Sequence, residues 1–471
     1  MLQSFESDKS LVALREHPLL KQIGEIADRQ AAEVYVVGGI VRDALLSRPL
    51  GELDVVVVGD GIAFAQAVAK ALKTEPPAVY RNFGTAMLQH AGCKLEFVGA
   101  RRESYQSDSR KPAVAPADLH ADLSRRDFTI NALAMALNEL KFGELMDPFH
   151  GREDLQNGLL RTPLDPEITF SDDPLRLMRG IRFATTLNFR IEEKTFAGMR
   201  ATVERLRIIS QERITDEFIK ILAADKPSTG FHLMYEAGVL GIIFPEFTEL
   251  RGAEERQGYA HKDVFNHTLM VVDNTAAMSA KLPLRFAALV HDIAKPRTKE
   301  FTEGKGWSFH GHEDLGARML PTICRRLKLP NEWLLYAQKL TRLHLRPIAL
   351  TEETVTDSAY RRLLFEAGED LEDLLTLCRA DITSGNAKRR QQHLANFDFV
   401  VKRLNEVEAK DKIRAFQSPV RGDEIMAVCG LAPGPLVGKL KTVIEEAILD
   451  GKIPNEHDAA LQYLLSIKDR I

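Results

Sequence analysis

Short runs of strand-forming residues dominate the first third of the chain, and helical spacing dominates the rest. Residues 34–37, 54–58, 85–89 and 95–98 are rich in Val, Leu, Phe and Thr and predict strands. Residues 62–72 carry apolar positions at helical spacing and predict a helix packed against those strands. Alternation of this kind is the signature of an α/β unit. From Asp173 onward the apolar period is near 3.6, with few strand-like runs. Breaks at Ala224-Asp225-Lys226-Pro227 and Phe244-Pro245-Glu246-Phe247 punctuate this helical part, and another helical block runs from about residue 260 to 397. The pattern predicts segments 1–150, 151–255, 256–397 and 398–471, without internal repeats or low-complexity tracts.

Composition narrows the classes. A chain of 471 residues exceeds one ordinary core, so several domains are expected. Its 45% hydrophobic and 28% charged residues are those of a globular protein. The net charge of −4 leaves nucleic-acid binding to a local basic patch. Cys93, Cys324, Cys378 and Cys429 form no CxxC pair, which points to a reducing compartment and away from a zinc finger. No apolar run approaches the ~20 residues that span a bilayer, and residues 1–8 are polar and acidic rather than leader-like. The expected location is cytoplasmic.

The densest chemistry lies where Val34-Tyr35-Val36-Val37 runs into Gly38-Gly39-Ile40-Val41-Arg42-Asp43, with the next run opening at Glu52-Leu53-Asp54. Glycines between a strand and a helix start let backbone N–H groups approach a phosphate. Carboxylates at alternate strand positions share a face, so Glu52 and Asp54 are candidate ligands for a hard cation such as Mg²⁺. A βαβ edge with a solvated turn accounts for the same residues. Glu96, in Lys94-Leu95-Glu96-Phe97-Val98, is a candidate third carboxylate.

Arg125-Arg126-Asp127-Phe128-Thr129-Ile130-Asn131-Ala132 offers two guanidinium groups for a triphosphate or ribose, with Asp127 orienting one of them, although RRD alone also describes a surface charge cluster. Asp147-Pro148-Phe149-His150-Gly151 and Arg161 follow, as a hinge or an ordinary turn. Asp173 and Arg176 stand at i, i+3. On one helix face, an acceptor beside a donor would accept C and A and reject U and G. The competing reading makes Asp173 a helix cap ahead of Pro174. Arg179, Arg182 and Phe183, then Glu212-Arg213 and Glu217, complete the series.

In this order and spacing the chain resembles the bacterial CCA-adding enzyme and poly(A) polymerase family, the class II tRNA nucleotidyltransferases, over roughly residues 15–250. The resemblance resumes in the tail at Gly430-Leu431-Ala432-Pro433-Gly434-Pro435 and Gly438. It implies a polymerase-β-like head, a mixed sheet with helices, followed by an all-α neck, body and tail. It assigns Gly38, Gly39, Arg42, Arg125, Arg126, Asp127, Asn131, Asp173, Arg176, Arg179 and Arg182 to the nucleotide, and Asp54, Glu52 and Glu96 to catalysis. The family's usual metal pair is two aspartates, and Glu52 departs from it. Asp172 likewise replaces the usual Glu of the recognition motif.

A second constellation, His267, His291-Asp292, His312, His344 and Asp381, falls in the later helical block. Imidazoles and carboxylates suit divalent transition metals or Mg²⁺. The order resembles the HD phosphohydrolase superfamily over about residues 260–385, with Ala287-Ala288-Leu289-Val290 as its buried helix. One metal position is expected from His291, Asp292, His267 and Asp381, and a second from His312 and His344.

The two resemblances imply template-independent addition of C and A to the 3′ end of tRNA from CTP and ATP, releasing pyrophosphate with Mg²⁺. They also imply an appended HD domain, with no membrane or DNA partner. Two alternatives stay open: poly(A) synthesis or partial CCA addition, and an HD metal-dependent phosphohydrolase whose head binds RNA.

Overall fold

The computed structural model describes residues 11–81, 84–104, 113–252, 254–257, 259–261, 263–351, 355–411 and 418–468. Two compact units divide the chain, Met1–Ile243 and Phe244–Ile471, a coarser partition than the four segments read from the sequence.

The first unit opens with α1 (Pro18–Arg29), then β1 (Glu33–Val37), α2 (Gly39–Leu45), β2 (Leu53–Val58), α3 (Gly61–Leu72), β3 (Ala78–Tyr80), β4 (Thr85–His90) and β5 (Cys93–Gly99). After α4 (Leu119–Ser124) come β6 (Ala134–Ala136) and β7 (Leu145–Met146). The sheet runs β3-β4-β5-β2-β1-β6-β7 and is mixed: β2 and β5 are parallel and the other neighbours antiparallel. All four predicted strands and the predicted helix are present. The strands missed were short ones of two to four residues, too few to carry a readable period.

Near-continuous burial along β1 and β2 explains their Val-rich runs, since both faces of a central strand are covered. Asp60 caps α3, its carboxylate accepting from the N–H groups of Ile62 and Ala63. Gly61 lets that helix lie on β5: a Cβ there would come within 2.5 Å of the Gly99 nitrogen. The unit continues through α5 (Gly151–Gln156), α6 (Pro166–Asp172), α7 (Leu175–Leu187) and α8 (Gln211–Leu222). Phe128 and Phe183 meet edge to face, which joins the segment before β6 to α7.

Among the described residues the second unit is helical apart from two small hairpins. Its core elements are α9 (Val264–Met278), α10 (Leu282–Val290), α11 (His312–Arg326), α12 (Asn331–Leu343) and α13 (Leu371–Asp381). They are followed by the long α14 (Ala387–Asp411), then α15 (Gly422–Cys429), α16 (Pro435–Leu449) and α17 (His457–Ile467). Among the described residues no helix is long and apolar enough to cross a membrane.

Candidate functional site

Gly38 sits at φ 78°, a conformation that favours glycine, and its Cα lies close against the Arg126 guanidinium, where an added Cβ would come within 2.8 Å of a side-chain nitrogen. From α2, Arg42 is buried and donates to Asn131 Oδ1 (2.7 Å) and to Asp43 (2.9 Å). Asn131 Nδ2 in turn donates to Asp127 (2.9 Å), and Asp127 accepts from Arg179 Nε at 2.8 Å. Burial would raise the Asp127 carboxyl. Arg179 and Asn131 outweigh it and hold the group at about 2, ionised. Arg182 closes on Glu217 at 2.5 Å, and the guanidinium groups of Arg42, Arg179 and Arg182 surround the Phe183 ring at 5.0, 5.5 and 4.0 Å. Beside them a cleft of about 550 Å³ is lined by Arg42, Arg48, Arg182, Phe183, Thr186 and Lys220.

Arg125 and Arg126 take a different anchor from the expected one. Asp127 turns to Arg179, and the carboxylate that fixes the arginine pair is Asp122 on α4. It receives Arg125 at 2.6 Å and Arg126 at 3.1 Å, and its side chain is fully buried. Burial works against its charge, but the two guanidinium groups keep the carboxyl below its ordinary range. Asp122 escaped the sequence reading, although an acid three and four residues before two arginines on a helix was the available signal.

Asp54, second residue of β2, lies in register with Glu96 on β5. Burial first, and then Glu96 and Glu52, raise its carboxyl to about 6 against the pull of Arg126 and Lys94. Glu52 falls one residue before β2, exposed, and its Oε2 accepts from Lys94 Nζ at 2.8 Å. Thus Asp54 and Glu96 share the sheet, and Glu52 is tied to a lysine at its margin.

Asp173 and Arg176 do not share a helix face. Asp173 has extended backbone (φ −135°) between α6 and α7, caps the Leu175 N–H at 3.1 Å and meets Arg213 at 3.4 Å. Arg176 is buried on α7 and donates to the carbonyls of Thr169 (3.3 Å) and Arg125 (2.6 Å). The kink at Pro174 separates the two groups. In the hinge segment, Asp147 accepts from the N–H groups of Gly151 and Arg152, and Arg161 pairs with Asp154 and Glu192. A Cβ on Gly151 would lie 2.1 Å from the Thr129 carbonyl oxygen, so this glycine serves close packing.

In the second unit the six HD-type residues converge. His267 lies on α9, His291-Asp292 just past α10, His312 opens α11, His344 follows α12 and Asp381 ends α13. Ligand atoms of His267, His291 and Asp381 gather in one group, and those of Asp292, His312 and His344 in another, each within 4.8 Å. Asp292 faces both groups: its Oδ2 lies 3.6 Å from His267 Nε2 and 3.3 Å from His291 Nε2, and its Oδ1 lies 3.3 Å from His312 Nε2 and 3.7 Å from His344 Nε2. The Nδ1 atoms of His291, His312 and His344 lie 2.7–2.8 Å from the main-chain carbonyls of Ala288, Phe309 and Thr341, which leaves each Nε2 turned to the centre. His312 Nε2 and His344 Nε2 are 3.3 Å apart. His291 Nε2 and Asp292 Oδ1 are buried without a hydrogen-bond partner. Orphaned donor atoms around shared space fit a divalent cation. Burial, then His291, depresses His344 to about 4, whereas at His291 burial is outweighed by Asp292 and Asp381, which raise it.

Three family models match in chain order. They are the poly(A) polymerase head domain at residues 34–161, a probable RNA-binding region of poly(A) polymerase at 188–250, and the HD domain at 264–386. The multifunctional CCA protein of Methylococcus capsulatus is 36% identical over 364 residues, covering 74% of this chain and 81% of the relative. The chain belongs to the CCA-adding enzyme and poly(A) polymerase family. An A-adding tRNA nucleotidyltransferase of Deinococcus radiodurans is 33% identical over 353 residues, covering 73% and 78%. Among solved structures, the Thermotoga maritima CCA-adding enzyme complexed with tRNA shares the fold at a TM-score of 0.61 with 22% identity, covering 97% of this chain and 98% of that one. A CCA-adding enzyme complexed with ATP does so at 0.65 with 23% identity, covering 98% and 97%. In this family member the head match contains Asp54, Glu96 and the Asp122–Asn131 network, and the HD match contains all six converging ligands.

Proposed function

We propose that the chain adds C and A to the 3′ end of tRNA from CTP and ATP in the cytoplasm, releasing pyrophosphate. The observation that carries this reading is Asp54, a desolvated carboxylate in register with Glu96 and near Arg126, in a unit where Arg126, Arg179 and Arg182 are fixed by ion pairs. Asp54 and Glu96 would hold a divalent cation such as Mg²⁺, which would supply acidification of the attacking 3′-hydroxyl and neutralisation of the triphosphate. The chain's own groups do the rest. Arg125 and Arg126, held by Asp122, receive phosphate oxygens, and Asp127 keeps Arg179 extended toward the nucleotide. Asp173 offers an acceptor for an exocyclic amine, and Arg176 positions Arg125 through its carbonyl. Purified protein given tRNA lacking its 3′ terminus and each labelled nucleotide separately should incorporate C and A but not U or G. Incorporation of A alone, or runs of A, would replace CCA addition by partial addition or polyadenylation.

The HD centre favours a second activity, metal-dependent hydrolysis of phosphate esters. Its support is the convergence of six ligand-type groups around orphaned His291 and Asp292 atoms. Metal analysis of purified protein, followed by phosphate release from nucleotides under added Ni²⁺, Mn²⁺ or Mg²⁺, tests it.

A further inference from the structure

The long helix α14 begins one residue past the end of the HD match. Phe397, Val400, Leu404 and Val407 are buried, a stripe at helical spacing that docks the helix. Four and eight residues before Phe397, on the same face, stand His393 and Arg389. The docking face therefore continues into a cavity of about 390 Å³ that these two residues line together with Asp381, Thr383, Ser384 and Phe397.

This cavity borders the HD centre directly. Asp381 belongs to one ligand group and Thr383 Oγ1 lies 3.0 Å from His267 Nδ1, so the cavity wall and the ligand set share residues. Arg379, on the helix that ends at Asp381, is committed to Asp398. Among the described residues no carboxylate pairs with Arg389, and both Arg389 and His393 are exposed to the cavity mouth. An arginine without a counter-ion beside a di-ligand centre is an anion receptor. The negative charge of Asp381 is turned to His267 Nε2 at 2.9 Å.

We propose that this cavity is the substrate pocket of the HD centre, with Arg389 and His393 holding the phosphate of a single nucleotide. Ile348 and Phe397 provide apolar wall for its sugar and base, and Ser384 and Asn396 provide polar partners. The volume of about 390 Å³ lies at the small end of ligand pockets, which suits one nucleotide unit. Binding stands on these residues alone; turnover rests on the hydrolase reading. In turnover, the oxygen of water bonds to phosphorus, and the ester oxygen leaves with the bonding pair and takes up the proton that water gives.

Calorimetric titration of the full-length protein with 2′-AMP, 3′-AMP, 5′-AMP and inorganic phosphate, with CTP saturating the head, tests the proposal. At least one mononucleotide should bind the wild type, and Arg389→Gln should weaken it by about 10- to 100-fold, the loss of one charge-assisted interaction. Arg389→Lys should recover part of the affinity and His393→Gln should lose less than Arg389→Gln. Metal content and melting temperature should stay at wild-type values in all three. Wild-type affinity in Arg389→Gln, or binding of inorganic phosphate as tight as any nucleotide, overturns the pocket, as does failure of the wild type to bind. Binding without phosphate release upholds the pocket and removes only the hydrolase reading.

Discussion

In the unit Phe244–Ile471, five helices bring six ligand-type side chains together, and the outward Nδ1 atoms of three of them, His291, His312 and His344, are already fixed by main-chain carbonyls. In the unit Met1–Ile243 the charged groups are held apart instead. Asp122 holds Arg125 and Arg126, Asp127 holds Arg179, Glu217 holds Arg182, and Lys94 holds Glu52. The HD residues form two candidate ligand groups whose atoms already converge. The head is a set of restrained donors around one desolvated carboxylate, Asp54, which among the described residues makes no ion pair within 4 Å. Preassembly suits small ligands bound in one step, whereas restrained donors suit a site that must accept successive nucleotides on a growing end.

The contrast breaks most visibly at the two carboxylates that serve the centres. Asp54→Ala should lower nucleotide incorporation by about a thousandfold or more, since metal-assisted charge stabilisation is worth several kcal/mol. Its melting temperature should stay near wild type, because a desolvated, weakly partnered carboxylate adds little to folding. Steady-state incorporation with labelled ATP measures the first, and retained activity would move the catalytic centre elsewhere. Asp292→Ala should strip bound metal and abolish phosphate release while leaving incorporation within about twofold, because the groups it organises lie in a separate unit. Metal stoichiometry by mass spectrometry reads this directly. Full metal occupancy in that variant would exclude Asp292 as a ligand.

Asp122 is the next largest lever. Its removal takes a buried carboxylate partner from both Arg125 and Arg126, at a cost of about 3 kcal/mol, the low end for a buried pair because both arginines reach solvent. Asp122→Asn should show this in urea unfolding and should raise the KM for the nucleotide at least tenfold or so. The pH dependence follows from the sign of the shifts. Asp122 and Asp127 are both held below the unfolded carboxylate value, Asp127 at about 2. Their contribution is therefore fully present above about pH 4 and is lost as pH falls toward 2. Wild-type protein should lose stability across that window, and Asp122→Asn should lose less across it. Parallel pH curves for the two proteins would show that the pair carries no linkage.

What the sequence made legible divides along the same line. The HD ligands could be read because histidines are scarce, their order is distinctive, and a run of four apolar residues marks the helix before His291-Asp292. The main strands were legible from Val-rich runs, and Gly38 from its place between strand and helix. Pairing within the head was not. Asp127 and Asp122 lie five residues apart, and only the turn after α4 decides which arginines each one meets. The Asp173–Arg176 spacing assumed one helix, but Pro174 places a helix boundary between them. Spacing gives a face only once the element's start is known. Ion-pair partners depend on side-chain directions that spacing does not contain.

The smallest expected effect tests whether Glu52 is a spectator. Its exposed carboxylate lies on Lys94, and such surface pairs contribute little, so breaking this one should not move the melting temperature. In Glu52→Asp the side chain is one methylene shorter and the contact to Lys94 lengthens, which frees a carboxylate two residues from Asp54. Incorporation should stay at wild-type level or rise by up to about fivefold, the scale of an exposed pair. Lys94→Gln should move the same way, because it frees Glu52 without altering it. The decisive comparison is Glu52→Ala. If Asp54 and Glu96 suffice, its incorporation stays within tenfold of wild type. A loss as deep as that of Asp54→Ala would make Glu52 a full ligand, with Lys94 as the partner it leaves when the cation arrives, and the head would then be preassembled except for one side-chain rotation.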